Sequence, residues 1–212
     1  MAQFFAVHPA NPQRRLIRLA AEIVRGGGLI AYPTDSCYAL GCRIGDKPAM
    51  ERLRRARGID ETHQLTLMCR DLAEISTYAI VDNAQYRLLR SVTPGSYAFV
   101  LRATREVPRR LMHPRRKTIG VRVTSHPVVR ALLEELAEPI LSTTLTLPGD
   151  AAPLTDAQEI RSRLEHQLDL VIDSGACGSE PTTVIDLTGN VPQVVRKGKG
   201  ALAPFAVDGM VG

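Results

Sequence analysis

Short apolar runs rich in β-branched residues alternate with amphipathic stretches along most of the chain, and this alternation confines it to the α/β class. The pattern predicts strands over 29–32, 65–69, 97–103, 119–123, 140–144 and 168–172. A first helix can be capped by Asn11 with Pro12 in its opening turn, and Leu16, Leu19, Ala20 and Ile23 make its apolar face before Gly26-Gly27-Gly28 ends it. A second runs from Asp46, with Pro48 in its first turn, to Gly58, and others are expected over 127–137 and 156–166. Two last strands, 183–187 and 193–196, lie close enough for a hairpin across Thr188-Gly189-Asn190. A hairpin is antiparallel, so the sheet is expected to be mixed.

With 212 residues, 44% of them hydrophobic, the chain can bury a sizeable core in one domain. No stretch approaches the ~20 apolar residues that span a bilayer, and residues 1–15 lack the apolar core of a secretory signal, which points to a cytoplasmic protein with no membrane partner. The four cysteines form no CxxC pair and no HExxH is present, so no metal site is expected; Cys37 is read as packed filler, with reactivity as the alternative. There is no GxSxG elbow, no GxxxxGK[ST] loop and no GxGxxG, so a nucleotide would have to be held by side chains.

The most chemically dense segment is Tyr32-Pro33-Thr34-Asp35-Ser36-Cys37-Tyr38, which follows the first predicted strand. Hydroxyls and a carboxylate cluster there, where the carboxyl end of a strand usually meets ligand. Asp35 is read as a loop cap or an orienter of neighbouring hydroxyls rather than a base, and His63 and His126 as turn or capping residues. The net charge is +5, and 102–117 carries Arg102, Arg105, Arg109, Arg110, Arg115, Arg116 and Lys117 against Glu106 alone. Such a run is either a solvated loop or an attractor of phosphates.

Four further segments follow in order: Arg55-Ala56-Arg57, Thr93-Pro94-Gly95, Thr118-Ile119-Gly120-Val121-Arg122 and Pro181-Thr182-Thr183-Val184-Ile185-Asp186. With the Tyr32–Gly41 segment they make the chain resemble the YrdC-like family of threonylcarbamoyl-AMP synthases, and within it the YciO-type branch. The resemblance implies one α/β domain over 10–206, a twisted mixed parallel and antiparallel sheet with flanking helices around a positively charged cavity, and a C-terminal tail over 207–212.

The resemblance also implies roles. Thr34, Thr118, Arg122 and Thr182 would contact threonine, with Arg122 on its carboxylate. Arg55, Arg57, Ser142 and Thr144 would serve catalysis at the ATP phosphates. Apart from the resemblance, Arg55, Arg57 and Arg196, the last near the end of a late strand, are the natural nucleotide contacts, because guanidinium offers a planar fork matched to phosphate oxygens. Two departures stand out, since Arg55 occupies a family lysine position and Thr144 replaces the asparagine of a Ser-x-Asn motif. Lysine to arginine moves the charge, and asparagine to threonine removes an amide's two donors, which points to reduced activity. The implied substrates are ATP, threonine and bicarbonate, with Mg2+ carried by the nucleotide and tRNA modification as the setting. The competing expectation is a non-catalytic protein of the same fold that binds double-stranded RNA or the ribosome through Arg109, Arg110, Arg115, Arg116 and Lys117.

Overall fold

In the computed structural model, which describes residues 1–205, ten strands share one sheet in the order β1-β8-β2-β3-β7-β4-β6-β5-β9-β10. These are β1 (Gln3–Ala6), β2 (Ile30–Tyr32), β3 (Ala39–Arg43), β4 (Thr66–Cys69), β5 (Tyr97–Arg102), β6 (Thr118–Val123), β7 (Ile140–Thr144), β8 (Leu170–Asp173), β9 (Thr183–Asp186) and β10 (Gln193–Arg196). The helices are α1 (Arg14–Arg25), α2 (Lys47–Arg57), α3 (Leu72–Tyr78), α4 (Asn83–Val92), α5 (Pro127–Leu136) and α6 (Ala157–Leu164). Parallel pairs (β1 with β8, β2 with β8, β4 with β6, β5 with β9) coexist with antiparallel ones, including the late β9–β10 hairpin. The sheet is therefore mixed, as expected. Residue 206 of the expected domain and the tail over 207–212 lie outside the described residues.

Three differences from the sequence reading matter. The sheet begins at β1, before the expected domain limit of residue 10. The segment after Tyr32 is a short loop that returns at once as β3, antiparallel to β2. In α1 the buried residues are Ile17, Ala20, Ala21 and Val24, so the core face is turned about one residue from the predicted one, and Gln13 rather than Asn11 stands at its N-cap. The cause is tertiary: α1 must meet both the sheet and α5, and Ile17 and Val24 point into that junction.

Successive strand residues face opposite sides of the sheet. In β2, Ile30 and Tyr32 join a cluster with α1 and α5, while Leu29, just before it, and Ala31 join the cluster that holds Leu53 of α2, Ile75 of α3 and Ile160 of α6. α1 and α5 cover the β8–β2 side of their face. The same face of β7, β4, β6, β5 and β9 lies past them, and there the cavity opens.

Candidate functional site

The cavity measures about 440 Å³. Its floor follows from strand register. Thr66 of β4 lies opposite Ser142 of β7 and Gly120 of β6; Met68 of β4 lies opposite Arg122 of β6; Val100 of β5 lies opposite Gly120. Alternation turns this set toward one side, and Ser142, Arg122 and Gly120 all line the cavity. Gly120 makes room, because a Cβ there would stand 2.8 Å from the Thr66 hydroxyl and 3.0 Å from the Leu65 carbonyl.

Arg122 is 6% exposed. Its Nη2 donates to Asp35 Oδ1, to Ser36 Oγ at 3.1 Å and to Thr34 Oγ1 at 3.4 Å. Its Nε is buried with no hydrogen-bond partner. The loop after β2 is held in turn by its own hydroxyls, since Thr34 Oγ1 donates to the Cys37 carbonyl at 2.6 Å and accepts from the Ser36 amide at 3.2 Å. Asp35 also accepts from Thr124 Oγ1 at 2.8 Å, while its carbonyl accepts from Lys199 Nζ at 2.5 Å. Burial acts to raise the Asp35 carboxyl, yet the Arg122 guanidinium and the hydrogen bonds from Thr124 and Arg122 outweigh it and hold the group below the usual carboxylate range.

The other expected threonine contacts are buried as well. Thr182 lines the cavity, whereas Thr118 does not and accepts from the Gln64 amide at 3.2 Å. Arg196 lines the cavity and is oriented by Thr182, donating to its carbonyl at 3.0 Å and to its hydroxyl at 3.3 Å. Ser142 and Thr144 are also in the lining, with Ser142 Oγ 2.6 Å from the Tyr32 hydroxyl. Burial pushes that phenol up to about 12.

The two helix arginines part ways. α2 packs in the cluster that includes Leu53 and Ala56, on the opposite side of the sheet from α1 and α5. Arg55 is exposed, its side chain has no hydrogen bond or ion pair among the described residues, and it does not line the cavity. Arg57 reaches the sheet end and donates to the Thr146 carbonyl, leaving its Nε buried without a partner. His63, on the cavity wall, is held below the usual imidazole range first by burial and then by Arg57, Arg54 and Arg196. Arg57 itself does not line the cavity.

Of the basic run, Arg116 approaches Asp186 at 3.5 Å and Arg110 donates to the Gly45 carbonyl. Arg109, Arg115 and Lys117 are exposed and form no ion pair among the described residues. Cys37 lines the cavity but is 2% exposed, and burial pushes its thiol up, which suits filler rather than a nucleophile. Sequence reasoning left His63 and Tyr32 out of the site and gave Asp35 no partner. The polar run around Asp35 was the available signal, but nothing in it points to Arg122, 87 positions away.

These features define an α/β protein whose sheet carries a cavity lined by two arginines, Arg122 and Arg196, and by the hydroxyls of Thr66, Ser142, Thr144 and Thr182. The family described as telomere recombination (Sua5/YciO/YrdC) matches residues 22–198, and the chain belongs to that family. It is 58% identical over 205 residues to the uncharacterized protein YciO of Escherichia coli (strain K12), covering 97% of this chain and 100% of that one. The crystal structure of that YciO superposes with a TM-score of 0.95. A threonylcarbamoyl-AMP synthase of Nitrosococcus oceani is 34% identical, covering 74% of this chain and 84% of that protein. The crystal structure of P. abyssi Sua5 complexed with L-threonine matches with a TM-score of 0.85 at 27% identity, over 92% of this chain and 57% of Sua5.

Proposed function

We propose that this protein joins L-threonine, bicarbonate and ATP into threonylcarbamoyl-AMP, releasing pyrophosphate, in the pathway of tRNA t6A modification. The observation that carries the reading is Arg122 on the lining of a cavity walled by hydroxyls, fixed there by Asp35, Ser36 and Thr34. A small hydroxy-amino acid asks for that combination, a directed cation for its carboxylate and hydroxyls for its side chain, and a site so built rejects apolar analogues. The 34% identity to a named threonylcarbamoyl-AMP synthase supports it.

In this reading the threonine amine attacks the bicarbonate carbon and a C–O bond breaks with loss of water, giving a carbamate whose oxygen attacks the α-phosphorus of ATP. The bond to the β-phosphate oxygen breaks, and pyrophosphate leaves with its electrons. The protein contributes position and charge stabilisation, with Arg122, Thr34 and Thr182 on threonine and Arg57, Arg196, Ser142 and Thr144 on the phosphates. Arg55 stands outside this set. The cavity lining offers no carboxylate, so Mg2+ would be carried on the phosphate oxygens of ATP.

The test is incubation with ATP, threonine, bicarbonate and magnesium, with threonylcarbamoyl-AMP read by mass spectrometry. The product forms with the native protein, and Arg122→Ala lowers it at least about a hundredfold while circular dichroism stays unchanged. No product, under conditions where a family synthase makes it, overturns the reading. A second reading, docking on double-stranded RNA, is favoured by one observation: Arg109, Arg115 and Lys117 stand exposed without carboxylate partners among the described residues.

A further inference from the structure

The two arginines of the cavity differ in one respect. Arg196 forms no ion pair among the described residues and rests on Thr182, whereas Arg122 is matched by a carboxylate. That carboxylate is fixed: the Asp35 side chain is 11% exposed, and it accepts from Arg122, from Thr124 at 2.8 Å and, at the 3.4 Å limit, from Ser96 and Ser125. We propose that Asp35 is the specificity determinant of the Arg122 subsite, reserving it for a singly charged carboxylate and excluding doubly charged phosphate. The inference rests on the reading that Arg122 marks the amino-acid end of the cavity.

Two consequences of the geometry carry it. Nη2 is already committed to Asp35, Ser36 and Thr34, so Arg122 cannot offer the two-pronged fork that suits phosphate. What is left for a ligand is Nη1, which has no partner among the described residues, because Nε is buried out of reach and both two-pronged faces of the guanidinium need Nη2. The charge balance points the same way. Arg122, Asp35 and Lys199, whose Nζ reaches the Asp35 carbonyl, sum to one positive charge, so a bound carboxylate brings the cluster to zero whereas a phosphate dianion leaves it with one negative charge. The cost of burying charge climbs steeply with its magnitude, and Asp35 repels the dianion directly. Without the Asp35 charge Arg122 becomes an ordinary anion site. Arg196, with no such counter-charge, is free to take phosphate.

The test is calorimetric titration of L-threonine with and without inorganic phosphate at matched ionic strength, at a pH of about 8 where phosphate is doubly charged. For the wild-type protein phosphate shifts the threonine affinity less than about twofold, whereas for Asp35→Asn it weakens threonine at least about tenfold. Thr124→Val loosens the carboxylate but keeps its charge. It weakens threonine a few fold and leaves phosphate as poor a competitor as before, a separation that general damage to the loop would not produce. Strong phosphate competition in the wild type overturns the proposal with no variant needed, and so does an Asp35→Asn protein that ignores phosphate. Absence of any threonine binding to the wild type overturns it too. Titration requires no turnover: threonine bound with phosphate excluded but no threonylcarbamoyl-AMP formed sinks the synthase reading alone, and product formed with phosphate competing sinks only the role of Asp35.

Discussion

At the residue scale, function in this cavity depends on which polar atoms the fold has already used. Arg122 gives its Nη2 to Asp35 and keeps Nη1, Arg196 is aimed by the Thr182 carbonyl, and Arg55 has been left on the far surface. Arg196→Ala should therefore lower threonylcarbamoyl-AMP formation at least about a hundredfold, the effect of losing one preorganised donor to developing charge, and Arg55→Ala by less than about threefold. Steady-state assays with ATP varied will separate them, and an Arg55→Ala protein as crippled as Arg196→Ala would count against the assignment. Asp35 also ties stability to pH. Its carboxyl is lowered from 3.8 in the folded protein, so the unfolded chain binds the proton more readily. The contribution of Asp35 is thus complete above about pH 4 and drains away as the pH falls through its folded value. Denaturant melts should show wild-type stability falling more steeply than that of Asp35→Asn over that acid range, and parallel slopes would refute the coupling.

At the element scale, the sheet makes the site and α2 stabilises it from behind. α2 was legible in detail: Asp46 caps it, accepting from the Ala49 amide at 2.9 Å, and Gly58 closes it in the left-handed region at φ 63°. Asp46→Ala should cost about 1 kcal/mol and lower the melting temperature by about 2–4 °C. Threonine affinity should stay unchanged, because Asp46 sits at the end of α2 opposite Arg57 and the helix packs against the other face of the sheet; a matching loss of affinity would show that this cap is coupled to the threonine subsite. α3 and α4 escaped the sequence reading although both carry their cap residues, Asp71 on the Glu74 amide and the Asp82–Gln85 capping box. Only Leu89 of α4 is buried, so no apolar stripe betrays it. β3 was missed for a related reason, since Ala39-Leu40-Gly41-Cys42-Arg43 holds no β-branched residue and forms a strand because β2 and β7 flank it.

At the scale of the whole molecule, the exposed cations beside the β5–β6 connection provide the alternative role with a clean measurement. If this surface docks on double-stranded RNA, affinity falls linearly in log–log salt, and neutralising Arg109, Arg115 and Lys117 together flattens the slope by about 3. Removing Arg116 or Arg110 should do less, since Asp186 and the Gly45 carbonyl already engage them. A salt-insensitive interaction would dismiss the reading. Apolar periodicity, helix punctuation and the closing hairpin were enough to establish the α/β class, the mixed sheet and the helix ends at Asp46 and Gly58, because each depends on residues near one another in the chain. The ordered motifs carried the resemblance to the family and marked Thr34, Arg122 and Thr182 as residues of interest, while Arg196 was singled out by its guanidinium near the end of a late strand. Which residues share the cavity was another matter. Strand register turns Arg122 and Ser142 to one face, crossover order brings Asp35 to Arg122, and the placement of α2 behind the sheet sends Arg55 to solvent. Those outcomes depend on how distant segments pack, on burial and on which donors are left unpaired, and only the tertiary structure decided them.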